Sequence, residues 1–150
     1  MRKLFAELIV FFLALLFTYA SFSKLMDYDR FVFQMHLSPF GPIKNNAGLL
    51  AVFVPISECA IVLLLLAPKT RLIGVYASLL VLSLFELYIL WMLFSGLQLP
   101  CTCGGIISKM SWKGHLLFNA FFISIALFYA LLRRKNILTR QEIPTTFSRV

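Results

Sequence analysis

Residues 49–67 read LLAVFVPISECAIVLLLLA, an apolar run broken by one ionisable carboxylate, Glu58. At 1.5 Å of rise per residue, a helix of this length crosses about 30 Å of hydrocarbon. Pro68-Lys69-Thr70-Arg71 follows, too short for anything but a tight helical hairpin, and a second apolar run fills 73–97. Working outward from this pair, 4–22 and 116–132 have the same character. The chain is 61% hydrophobic and only 13% charged, too apolar for a soluble globule. The expected fold is all-α, a four-helix transmembrane bundle occupying 1–134, with a basic tail over 135–150. With 150 residues there is room for one domain, and no internal repeat or soluble second domain is visible.

The formal net charge of +8 does not point to nucleic acid, because the basic residues sit in connections and tails. Arg2, Lys3, Lys69, Arg71, Arg133, Arg134, Lys135, Arg140 and Arg149 all fall on one side of the four crossings. By the positive-inside rule that side is cytoplasmic, so both termini are expected inside a bacterial cytoplasmic membrane. The connections holding Lys24, Arg30 and Lys44, and Lys109 and Lys113, then lie outside. The tail is expected to rest against anionic membrane lipid. Met1-Arg2-Lys3 and Thr18-Tyr19-Ala20 also resemble a secretory signal, but Glu7 within the run, bulky Tyr19 and unbroken continuation to Phe22 favour a retained helix.

Helical spacing in the first span aligns Glu7, Phe11, Ala14, Thr18, Ser21 and Leu25, whose small members suit close helix packing. Glu7 lies one turn from Lys3, an expected interfacial pair. In the long connection Asp29 is expected to cap a short surface helix over Phe31, Phe33 and Met35, broken at Ser38-Pro39-Phe40-Gly41-Pro42. His36 there is read as solvated.

Between the third and fourth spans stands Pro100-Cys101-Thr102-Cys103-Gly104-Gly105. A disulfide across one residue closes a very small ring, so it should be strained and readily reduced, which suits exchange better than stapling. The glycines give the backbone freedom and let another protein approach the sulfurs. Lys109, Lys113 and His115 follow closely, and positive charge stabilises a thiolate. The competing readings are a metal pair lacking its other ligands and two inert interfacial thiols. Redox exchange is preferred.

Glu58 and Glu86 fall near mid-membrane, where a charge costs about 2.5 to 3.5 kcal/mol even on lenient insertion scales, so each should face inward and be neutral or paired. Glu86 shares a stripe with Tyr76 and Ser83, and Asn119 on the fourth span is placed to meet it. The resulting polar seam has three readings: a proton path, the wall of a quinone-type pocket, or structural hydrogen bonding. Cys59 is read as a buried apolar residue too deep to reach the outer pair.

Phe17-Thr18-Tyr19-Ala20-Ser21-Phe22-Ser23-Lys24-Leu25-Met26-Asp27 resembles the close of the first helix in DoxX-like membrane proteins. Residues 55–58 and Cys101-Thr102-Cys103-Gly104-Gly105 look more particularly like the MauE family, and the resemblance runs to about Arg134. That family's motif often reads Cys-x-Cys-Phe-Gly, so Gly104 departs from it where an aromatic is usual. The resemblance implies a role in maturing the disulfide-rich small subunit of methylamine dehydrogenase, alongside a thioredoxin-like partner. The functional expectation is therefore a membrane thiol-disulfide oxidoreductase exchanging electrons through Cys101 and Cys103 with an outer thioredoxin-like protein. No flavin, haem, nucleotide or metal motif is visible, and a membrane quinone near Glu58, Glu86 and Tyr76 is the expected electron carrier. The alternative is a non-catalytic assembly factor for a secreted client. A small proton-coupled transporter is weaker, since four short spans leave little room for an aqueous path.

Overall fold

The computed structural model describes the backbone of residues 2–94 and 112–141, with side chains over 4–94 and 113–133. Cys101, Cys103 and Lys109 lie outside the described residues. Within them the order is α1 Arg2–Met26, α2 Tyr28–His36, α3 Gly41–Asn45, α4 Ala47–Leu66, α5 Arg71–Phe94 and α6 Trp112–Gln141. No strand occurs among the described residues.

Four of these helices are long and apolar enough to cross a membrane: Leu4–Met26, Ala47–Leu66, Arg71–Phe94 and Lys113–Arg133. Between 22 and 33% of each span is buried within the protein, which leaves most of every helix surface for lipid. Exposed Phe12, Phe53, Leu63, Leu80 and Leu117 belong to that outer belt. α1 runs four residues beyond its expected end at Phe22, because Ser23 and Lys24 turn inward and continue the buried face. α6 continues past the expected end at Leu132 into the basic stretch, where Arg, Lys, Leu and Gln are good helix formers and the next proline is Pro144.

The α4–α5 hairpin forms as expected, and its side chains explain the tight turn. Thr70 Oγ1 donates to Leu64 O at 3.1 Å and Arg71 Nε to Leu65 O at 3.3 Å, satisfying carbonyls that the end of α4 leaves open. Gly74 lets the two backbones touch: a Cβ there would stand 2.8 Å from Leu65 N. Arg71 Nη1 also donates to Glu7 Oε1 at 2.6 Å, tying the start of α1 to the same turn. The side chain of Lys3, the expected partner of Glu7, lies outside the described residues, and with Glu7 60% exposed its pair with Arg71 contributes little.

Toward the 67–70 turn the bundle is packed solid by Leu13, Phe17, Ile61, Leu65, Val75, Phe122, Ala126 and Tyr129. The buried face of α1 is Val10, Leu13, Ala14, Phe17, Ser21 and Lys24. The expected stripe is thus corrected in phase: its period was right, but Phe11 and Leu25 point outward. In lipid an apolar side chain is equally at home on either face, so apolarity sets the period of a span and leaves its rotation to packing and polar contacts.

At the opposite end α2 and α3 lie over the bundle. Asp27, not Asp29, occupies the N-cap position of α2, without a side-chain cap bond, while Asp29 sits in the first turn where the helix dipole favours an acid. Phe31 is buried, Phe33 and His36 are exposed. The proline-rich stretch breaks α2 as expected and then starts α3, with Pro42 in its first turn.

Candidate functional site: a buried ion pair beside an apolar cavity

α1 and α4 meet through polar groups that each helix leaves available. Pro55 has no N–H, so the α4 ladder lacks one bond there. From the neighbouring α1, Ser21 Oγ donates to Pro55 O at 3.1 Å and lies 3.0 Å from Cys59 Sγ. One turn further along each helix, Lys24 Nζ donates to Glu58 Oε1 at 2.7 Å, with the two side chains 8% and 7% exposed. Lys24 also donates to Ala20 O at 3.3 Å and stands 5.9 Å from the centre of the Phe31 ring. Each charge would be expensive alone in hydrocarbon, and each is the other's compensation.

Beside this pair is a cavity of about 420 Å³. Its floor is the packed half, at Phe17 and Leu82, and its roof is Phe31 and Met35 of α2 with Ile43 of α3. Its polar lining is Lys24 of α1, Glu58 of α4, and His115 and Asn119 of α6. On another side Phe53 of α4 and Leu84 of α5 belong both to the lining and to the exposed surface, so the cavity reaches the lipid-facing exterior between these helices.

Several polar atoms of this lining are buried yet unpartnered among the described residues: Glu58 Oε2, His115 Nδ1 and Asn119 Nδ2. His115 is 4% exposed and holds its ring edge-on to Phe85, with centroids 5.9 Å apart. Glu86 and Asn119 do meet across α5 and α6. Their contact falls short of saturating either group, since Glu86 Oε2 also lacks a partner among the described residues.

The structure redistributes the expected site. Glu58, His115 and Asn119 converge on the cavity, and Glu86 lies behind Asn119. Tyr76 does not join them: it is half exposed, near the start of α5, where a tyrosine ring is at ease at an interface. Ser83 is half-buried and outside the lining; α5 presents Phe85 and Tyr88 to the cavity instead. Lys113 is exposed at the beginning of the fourth span. Cys59 is corrected from buried to exposed on the lipid-facing surface. Lys24 is the residue that sequence reasoning placed in a connection. The signal that finds it is Glu58 itself: a carboxylate at mid-span requires a buried donor, and Lys24 falls three residues after Ser21 on an inward stripe.

The segment carrying Cys101 and Cys103 joins Phe94 to Trp112, helix ends at the same end of the bundle as the cavity. Neither a curated protein nor a solved structure matches the chain significantly. The family model described as Methylamine utilisation protein MauE matches residues 2–132, which takes in all four spans apart from the last residue of the fourth. A match of that extent, on a chain with this order of four apolar helices, makes the protein a member of the MauE family.

Proposed function

We propose that this protein is a thiol-disulfide redox protein of a bacterial cytoplasmic membrane, with Cys101 and Cys103 on the extracytoplasmic side. The observation that supports it most is positional: the helix ends flanking the cysteine segment share one end of the bundle with a cavity whose wall holds buried charge. In this reading the oxidised pair meets the dithiol of a thioredoxin-like partner. One partner thiolate attacks a sulfur of the pair, a mixed disulfide forms, and the second partner thiol resolves it. The partner leaves oxidised, and Cys101 and Cys103 leave as thiols carrying two electrons and two protons. The family's description as a methylamine utilisation protein supports a place for such exchange in that process, with a disulfide-rich secreted subunit as the proposed client.

Single-cysteine variants test this. Cys101→Ser or Cys103→Ser, expressed in cells and run on non-reducing gels, should accumulate a mixed disulfide whose second component is identified by mass spectrometry as thioredoxin-like. The purified pair should also titrate between thiol and disulfide in glutathione buffers. Thiols that stay reduced in the most oxidising buffer, with no trapped species from either variant, remove the redox reading and leave a non-catalytic assembly factor.

A further inference from the structure

We infer that the cavity between α1, α4, α5 and α6 is a binding site for the headgroup of a lipid-soluble quinone, which enters sideways from the bilayer between Phe53 and Leu84.

The cavity volume of about 420 Å³ falls in the range, about 300 to 1,000 Å³, of pockets that hold small molecules. Its opening selects the route. Phe53 and Leu84 flank an exit onto the apolar belt, so a ligand arriving there is already dissolved in lipid and its tail can stay there.

The polar lining selects the headgroup. A buried polar atom without a partner is unfavourable, and three atoms lining one cavity with no partner among the described residues point to a polar ligand. An acyl chain satisfies none of them. Asn119 Nδ2 is a donor, Glu58 Oε2 an acceptor, and His115 Nδ1 either, according to its tautomer. A ligand matching both kinds carries oxygens that accept in one state and donate in another. A quinone carbonyl accepts from Asn119 or from His115; once reduced, the hydroquinone O–H donates to Glu58 or His115. Lys24 holds the Glu58 carboxylate in place through the opposite oxygen, leaving Oε2 to the cavity.

The site supplies what the proposed exchange lacks, and that role rests on the redox reading above. Oxidation of the Cys101 and Cys103 thiols to a disulfide releases two electrons and two protons, and one quinone takes up both to become the hydroquinone. Binding itself does not rest on the thiols.

The test uses the full chain in lipid nanodiscs and a decyl-tailed ubiquinone analogue bearing an aryl azide, with photolabelled peptides mapped by mass spectrometry. Labelling should saturate, fall on the segments around Val54 and Phe85, and be competed by unmodified decyl-ubiquinone but not by decylbenzene. His115→Phe and Asn119→Leu should each weaken competition by roughly tenfold, as expected for one lost hydrogen bond. Val54→Trp fills the cavity without removing a polar group and should abolish labelling while the protein elutes and melts as the parent does. Equal competition by decylbenzene, or labelling that survives Val54→Trp, overturns the assignment and leaves a lipid-filled cavity. Specific labelling in a protein whose cysteine variants trap no partner keeps the site and removes the redox reading; trapped partner without specific labelling does the reverse.

Discussion

The most consequential contact in the molecule is between two side chains, Lys24 and Glu58, 2.7 Å apart and almost wholly buried. Removing one member of a buried pair strands the other charge, at about 3 to 5 kcal/mol in soluble proteins, whereas replacing both with apolar groups is often neutral. Lys24→Met and Glu58→Leu should therefore each lower the thermal midpoint in detergent. The double variant should recover most of the loss. Strictly additive losses in the double variant would show that the pair is not coupled. That Glu58 faces inward and is neutral or paired was legible in the sequence, with a protonated, hydrogen-bonding acid the simplest expectation; the structure instead pairs it with Lys24. The partner's identity was not legible, because the end of α1 is fixed by where Lys24 points and not by where hydropathy falls. Sidedness reasoning counts a lysine near a helix end as an interfacial charge, and here the side chain turns back along its own helix toward Ala20 O.

At the level of helices, spans and hairpin were readable because apolar length and a four-residue turn leave few alternatives. Rotation was not, as α1 shows: Val10, Leu13 and Phe17 are buried while equally apolar Phe11 and Phe12 face out. Packing of unlike shapes decides between them, and one sequence does not contain that comparison. Gly74 is where such packing is tightest. A methyl group there would meet the backbone of Leu64 and Leu65, at 3.0 Å from Leu64 C and 2.8 Å from Leu65 N, so the α4–α5 hairpin must spread. Overpacking of this kind costs about 1 to 3 kcal/mol and outweighs alanine's advantage in helix propensity of about 1 kcal/mol. Gly48 is the matched control, with nothing within 4 Å of the added methyl. Gly74→Ala should lower the thermal midpoint, and Gly48→Ala should leave it unchanged or raise it. Equal behaviour of the two variants would mean that close approach at the hairpin is unimportant.

For the molecule as a whole, the functional proposals require one orientation in the membrane. The turn at 67–70, the start of α1 and the basic end of α6 share one end of the bundle; α2, α3 and the cavity share the other. By the positive-inside rule the first end is proposed to be cytoplasmic. Thiols report on this directly, since a charged maleimide crosses no bilayer and reacts with thiolate in water. Added to intact cells after mild reduction, it should label Cys101 and Cys103. Cys59 should stay unlabelled for a reason the structure alters: it is exposed, but about 10 Å in from the end of α4 at Leu66, at a depth that a charged reagent does not reach. A Lys69→Cys variant lacking Cys101 and Cys103 should react only after the membrane is opened. Labelling of Lys69→Cys in intact cells, with Cys101 and Cys103 silent until permeabilisation, would invert the protein. The cysteines would then face a reducing compartment that keeps thiols from pairing, and an outer thioredoxin-like partner would have no access to them.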